Sequence, residues 1–214
     1  MPDHSDFARI LRHDRLVAIV RGGDQAAALR SVVTLAEEGV RLVEVSLTTP
    51  RAVDVIARAI RETGTAAAIG AGTVVTREDA LRARDAGASW MVTPALGGGL
   101  EQAVALGVPV LAGALTPTEA VTAMRAGAHA VKLFPASLGG PGYLRALRDP
   151  LPDVPFVPVG GVDAELAPAY FAAGAVAIGV GSPLLGDAAD GGDPAALRDR
   201  ARVFRALCQA GGQA

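Results

Sequence analysis

DAGASWMVT (residues 85–93), ALGVPVLAG (105–113) and RAGAHAVKL (125–133) are three copies of one short pattern. In each, a helix-like stretch runs into a glycine, and a few mostly apolar residues follow. EEGVRLVEV (37–45) and AAGAVAIGV (172–180) repeat it. The glycine suits the left-handed position just after a helix, where a Cβ is penalised. The apolar run suits a strand buried on both faces, as in a parallel sheet. Gly87, Gly107 and Gly127 fall 20 residues apart, a tight period for one helix, one strand and their loops.

Counting outward from these copies gives eight candidate strands, at 16–20, 41–47, 66–70, 89–93, 108–112, 128–133, 155–159 and 175–179. Helical stretches lie between them, clearest at 24–38, 51–62, 77–86, 117–126 and 164–173. A further helix at 194–210 follows the last strand, and a short one at 5–13 precedes the first. Eight alternating units with no Ser/Pro linker predict one α/β domain over 1–214, a single (β/α)8 TIM barrel with a short N-terminal helix. A doubly wound open sheet permits the same alternation. The count of eight, with no GxGxxG after the first strand, favours the barrel.

Composition narrows the classes. Of 214 residues half are apolar, enough for a substantial core, and the net charge is -2. That balance gives no reason to expect nucleic acid or an anionic membrane as a partner. The N-terminal MPDHSDFARILRHDR lacks the apolar core of a secretion signal. No apolar run reaches the roughly 18 residues that span a bilayer. A single cysteine, Cys208, excludes a disulfide within the chain. The expectation is a soluble cytoplasmic protein.

In a barrel, reactive groups gather at the C-terminal ends of the strands. Those ends read Arg21, Glu44, Gly72-Thr73, Thr93-Pro94, Gly113, Lys132-Phe134, Gly160-Gly161 and Gly181-Ser182. Lys132 is the only lysine in the chain; the rest of the 20 residues counted as Lys plus Arg are arginine. A lysine among apolar neighbours can lose its proton and attack a carbonyl, which a guanidinium effectively cannot. The plainer reading is a lysine paired with a carboxylate for structural reasons. Glu44, within VEVSL, is costly on a strand unless paired or used. It is a candidate general acid and base, or half of a buried ion pair. VPVGGV (157–162) and AIGVGSPLL (177–185) end strands seven and eight, where barrels often hold a phosphate. Gly160, Gly161, Gly181 and Ser182 read as that cradle, ordinary tight turns being the alternative for either loop alone.

Taken in order, LVAIVRG, VEVSLTTP, IGAGTV, VTPAL, VKLFPAS, VPVGGV and GVGSPLL resemble the class I aldolases that cleave 2-keto-3-deoxy-6-phospho-sugar acids, grouped with 4-hydroxy-2-oxoglutarate aldolase. The resemblance covers nearly the whole chain. It implies that Lys132, in the family's K-x-F-P motif, forms the Schiff base and that Glu44 shuttles protons. It implies that Thr73 and Pro94 line a pyruvate pocket and that Phe134 packs against the bound intermediate. Gly160, Gly161 and Ser182 match the phosphate site, and Gly181 adjoins it. The implied partners are pyruvate and a phosphorylated keto-deoxy sugar acid. The implied assembly is a homotrimer that needs no metal or cofactor. One departure stands out: many gluconate-type members carry an arginine where this chain has Thr48. Arg21 is then the residue left for the substrate carboxylate. Val159, before the paired glycines, and GPGYLRAL at 140–147 fit the galactonate-type branch.

Two other classes stay open on the residues alone: a phosphosugar isomerase or epimerase with Glu44 as base, and a phosphosugar-binding barrel that does no chemistry. His4, His13 and His129 do not make a metal-binding set by position. Cys208 and Trp90 read as packing residues.

Overall fold

The computed structural model of the protein describes residues 4–210. Eight parallel strands form one sheet: β1 (Leu16–Val20), β2 (Leu42–Ser46), β3 (Ala68–Gly72), β4 (Met91–Val92), β5 (Val110–Ala114), β6 (Ala130–Leu133), β7 (Phe156–Pro158) and β8 (Ile178–Val180). From β1 to β7 each strand pairs with the next, and β8 returns to β1 with Ile178 opposite Leu16. A bridge between Val159 and Gly179 joins β7 to β8. That bridge closes the ring, so the protein is a single (β/α)8 barrel and not an open doubly wound sheet.

Helix α1 (His4–Asp14) precedes β1, and α2 (Gln25–Glu37), α3 (Ala52–Thr63), α4 (Arg77–Asp85), α5 (Gly98–Ala105), α6 (Pro117–Arg125), α7 (Gly140–Arg148) and α8 (Ala167–Ala172) follow the first seven strands. A four-residue helix α9 (Ser182–Leu185) sits in the loop after β8, and α10 (Pro194–Ala210) completes the outer layer. The repeated glycine does what its position demands. At the end of α4, Gly87 has φ +93°, its N–H donates to Arg84 O at 2.9 Å, and Ala88 N–H donates to Ala83 O at 3.0 Å. This pair of bonds is the Schellman termination. The same two bonds recur at Gly39, Gly107, Gly127 and Gly174. At the other ends, Thr76 with Asp79 and Thr116 with Glu119 make reciprocal capping boxes that fix the loops after β3 and β5.

Strand side chains alternate between two cores. Ala18, Val43, Met91, Ala112 and Val131 face the helices. Val17, Leu42, Trp90, Leu111 and Val157 fill the barrel, and Phe7 of α1 plugs its N-terminal end with its ring 5.4 Å from that of Trp90. Trp90 is fully buried and donates its indole N–H to Ala68 O at 2.9 Å. Its rings occupy the volume that a Cβ on Gly70 would claim.

Sequence and structure part at the strand boundaries. β4, β5, β6 and β8 begin two or three residues later than the apolar runs do, because the first residues after each glycine complete the Schellman turn. β3 is displaced from 66–70 to Ala68–Gly72. Ala66 N–H still closes a turn onto Thr63 O, and the glycines that look like loop residues pair in register with Glu44 and Ser46 of β2. They are strand residues whose missing side chains make room inside the barrel. Helices α5 and α7, which are not among the helical stretches clearest from the sequence, each start on glycine. Cys208 is buried in α10, its thiol pushed up to about 12 by burial, in keeping with a packing role.

Trp90→Ala should lower stability by about 3–5 kcal/mol, through lost contact and the cavity left behind. Urea unfolding followed by far-UV circular dichroism measures this without relying on the chain's single tryptophan as probe.

Candidate active site

The alternation that puts Leu42 and Ala130 inside the barrel continues toward its C-terminal mouth. It carries Glu44 and Ser46 inward from β2 and Lys132 inward from β6. Glu44 is 1% exposed and Lys132 4%. Val131 and Leu133, the apolar neighbours in sequence, point away into the outer core. The dryness around the Lys132 amine therefore comes from the barrel interior, a correction to the reading from sequence neighbours. Phe134 does approach, with its ring centroid 4.8 Å from Nζ.

Burial pulls the Lys132 amine below its ordinary range; Glu44 opposes that shift and Arg21 reinforces it. Burial lifts the Glu44 carboxyl above its ordinary range, with Lys132 and Arg21 opposing. The face of the Phe134 ring favours the ammonium, so it too works against burial. Desolvation is the largest influence on both groups. It drives them toward each other in proton affinity, the condition for a cheap proton exchange. Glu44 Oε1 is buried with no hydrogen-bond partner among the described residues. The carboxylate fits only because residue 72 is glycine: a Cβ there would fall inside the carboxylate of Glu44.

At one side of the pair lies a polar group built from three loops. Arg21 Nε donates to Ser46 Oγ at 3.4 Å and its Nη2 to Thr73 Oγ1 at 3.5 Å. Ser46 Oγ lies 2.9 Å from Thr73 Oγ1 and 2.8 Å from Thr48 Oγ1. Thr73 sits at φ +60°, an uncommon conformation for a β-branched residue. At the other side, the loops after β6, β7 and β8 come together. Ala136 N–H donates to Val159 O and Ser137 N–H to Gly160 O, both at 2.9 Å, while the buried Tyr170 hydroxyl donates to Ala136 O. Gly160 and Gly161 adopt φ of +88° and +80°, and Phe134 and Ser137 pack over them.

Between these sides is a cavity of about 350 Å³. Arg21, Lys132, Phe134, Val159, Gly160, Gly161, Gly181 and Ser182, all expected from sequence, line it. Three expected residues do not. Glu44 is buried and does not reach the cavity surface; Thr73 is connected through Arg21; Pro94 packs its backbone where a Cβ on Gly113 would be. Sequence reasoning missed Ser46, although the two-residue step from Glu44 along β2 points to it. Ile19, two residues before Arg21 on β1, lines the cavity, which Ser46 does not, and was missed as well. A larger cavity of about 750 Å³ lies at the opposite end, where Arg12, Arg15, Arg148 and Phe171 meet before the strands begin. It contains neither lysine nor carboxylate. Among the described residues no cluster of His, Cys, Asp and Glu is placed to hold a metal ion, and no helix is long and apolar enough to cross a membrane. His129 packs edge-on against Phe7 at the N-terminal end of the barrel, as its place before β6 implied.

Known proteins match this chain along most of its length. The family model for KDPG and KHG aldolase matches residues 7–197. The 2-dehydro-3-deoxy-6-phosphogalactonate aldolase of Escherichia coli (strain K12) is 38% identical over 171 residues, 79% of this chain and 83% of that one. The 2-dehydro-3-deoxy-phosphogluconate aldolase of Treponema pallidum (strain Nichols) is 37% identical over 149 residues, 69% of each chain. A solved structure described as native KDPGal superposes with a TM-score of 0.86 at 34% identity, covering 93% of this chain and 96% of its own.

Burying an amine that prefers water has a cost in stability. Lys132→Met should therefore be more stable than the natural protein near neutral pH, by about 1 kcal/mol. The unfolded lysine titrates near 10.5 and the folded one lower. Between those two values the unfolded chain binds more protons, so the natural protein gains stability as pH rises. The advantage of Lys132→Met should accordingly shrink toward pH 10.5, as thermal unfolding across a pH series would show.

Proposed function

The chain belongs to the KDPG and KHG aldolase family and is an aldehyde-lyase; on that premise we propose that it cleaves 2-dehydro-3-deoxy-6-phospho sugar acids to pyruvate and glyceraldehyde 3-phosphate, with Lys132 as Schiff-base nucleophile and Glu44 as acid and base. One observation carries the assignment of roles: the chain's only lysine is buried at the barrel mouth, beside a second buried ionisable group, and opens on a cavity. The isomerase, in which Lys132 would be only an electrostatic partner, and the non-catalytic binder give way to the family match.

The steps follow from the groups present. Neutral Lys132 attacks the C2 ketone, and Glu44 delivers the proton that lets the oxygen leave as water, giving a protonated imine. Glu44, now a carboxylate, takes the proton of the C4 hydroxyl. The C3–C4 bond breaks as its electron pair moves toward the imine nitrogen, leaving an enamine and glyceraldehyde 3-phosphate. Reprotonation at C3 and hydrolysis release pyruvate and restore the amine. Arg21 faces the carboxylate end, with Thr73 behind it; Pro94 packs against Gly113 outside the cavity lining. Phe134 and Val159 form the apolar wall. The backbone around Gly160, Gly161, Gly181 and Ser182 receives the phosphate, and that remote binding orients the scissile bond. None of these steps calls for a metal or cofactor. A homotrimer and a cytoplasmic location complete the proposal, both on the strength of the family resemblance; sedimentation equilibrium tests the first.

A second reading concerns the sugar. Thr48, where gluconate-type enzymes carry an arginine, and Val159, which lines the cavity, favour the galactonate epimer at C4.

Treatment with pyruvate and borohydride should leave one covalent adduct on Lys132, and none in Lys132→Ala or Lys132→Arg. Adduct formation should accelerate as pH rises, with a midpoint below the 10.5 of an ordinary lysine. Failure to trap any adduct in the natural protein would remove the Schiff-base role. Glu44→Gln should lower kcat by about 10²–10⁴-fold, the range for losing a general acid–base group. Coupled pyruvate assays of both phosphorylated epimers should show the galactonate substrate turned over with the higher kcat/KM; a clear gluconate preference would overturn the second reading.

A further inference from the structure

Arg21 faces a difficulty that its neighbours resolve. It is exposed at the barrel mouth, at the end of a long side chain with many rotamers. A mobile guanidinium loses that freedom each time it grips an anion, which weakens binding. With Thr48 where many relatives carry an arginine, it is the single guanidinium lining the cavity. What holds it is a chain of hydroxyls with Ser46 at its centre. Ser46 is completely buried, while Thr48 is exposed and Thr73 is partly so. The Ser46 Oγ meets all three partners: Arg21 Nε at 3.4 Å, Thr48 Oγ1 at 2.8 Å and Thr73 Oγ1 at 2.9 Å. The left-handed backbone at Thr73, strained for a β-branched residue, brings its hydroxyl into this chain and onto Arg21 Nη2.

We infer that Ser46 is a positioning residue: through its contacts with Arg21, Thr48 and Thr73 it holds the Arg21 guanidinium at the Lys132 side of the cavity, ready for the substrate carboxylate. The inference rests on the Schiff-base reading of Lys132 and adds a residue to it. It also gives Arg21 two successive effects. In the empty site its charge adds to the burial that lowers the proton affinity of the Lys132 amine. Once a carboxylate lies on the guanidinium, that charge is compensated, and the positive imine formed next no longer faces an unpaired cation. The same arginine would thus favour the neutral amine before binding and tolerate the cation after it.

Borohydride trapping with pyruvate tests this, because it reads both the affinity for a short keto acid and the state of the amine. Ser46→Ala should raise the half-saturating pyruvate concentration about tenfold, the effect of losing one hydrogen bond to a charged group. It should also move the pH midpoint of trapping upward, since an untethered Arg21 no longer depresses the Lys132 amine. Ser46→Thr, which keeps the hydroxyl, should restore both values. Thr48→Val, at an exposed position, should move both in the same direction by less, and it decides the matter if Ser46→Ala does not fold. A Ser46→Ala protein that traps pyruvate with unchanged half-saturation and midpoint overturns the inference while leaving the Lys132 reading intact. If the natural protein forms no adduct, both fall together.

Discussion

An amine and a carboxyl group held out of water inside a closed sheet impose the main constraint on this protein. Removing either from solvent is expensive, and the two side chains do not form a direct ion pair that would offset the cost. Burial acts on both in the direction that favours the uncharged form: desolvation lowers the proton affinity of Lys132 and raises that of Glu44. In the proposed mechanism, stability given up at the mouth of the barrel is what keeps a nucleophile and a proton carrier ready there.

The rest of the barrel supplies what that end gives up. Away from the mouth, Trp90, Leu42, Leu111 and Val157 pack the interior and Phe7 closes it. Five helices end in the same glycine-centred turn, so each strand that follows starts at a defined place. Packing at one end and chemistry at the other divide the molecule along the strand axis, as the direction of parallel strands in such barrels requires. Glycines inside the strands link the two ends. Gly70 clears space for Trp90, Gly72 for Glu44, Gly113 for the backbone of Pro94, and Gly179 for Val159. Each missing side chain is matched to a group crossing from a neighbouring strand or loop. A substitution at Gly72 would thus act on the proton carrier without touching its own residue.

Polar contacts at the mouth follow a different rule from those beneath it. Glu44 is left without a partner for one oxygen, whereas Ser46, two residues on, is surrounded by donors and acceptors. In the proposed mechanism the first has to change protonation state, and a fixed hydrogen bond would hold it in one. The second has to stay still, and several bonds to one oxygen hold it there.

The repeated helix–glycine–strand unit showed an alternating α/β chain with eight strands and favoured the barrel; closure of the ring was decided by β8 returning to β1 and by the bridge between Val159 and Gly179. The unit was legible because a 20-residue period is a local property that any reading of the chain can count. Lys132 and Glu44 were visible for the same reason: each is a polar residue out of place in an apolar strand. The start of β3, the burial of Glu44 away from the cavity surface and the placing of Pro94 beside Gly113 were not visible. They depend on volumes contributed by residues far apart in sequence, Gly70 against Trp90 and Gly72 against Glu44. The part played by Ser46 was likewise hidden, since an ordinary serine in a strand acquires meaning only when closure of the sheet brings Arg21 and Thr73 to its hydroxyl. Local pattern determined which residues could react; three-dimensional contact decided which of their neighbours hold them in place.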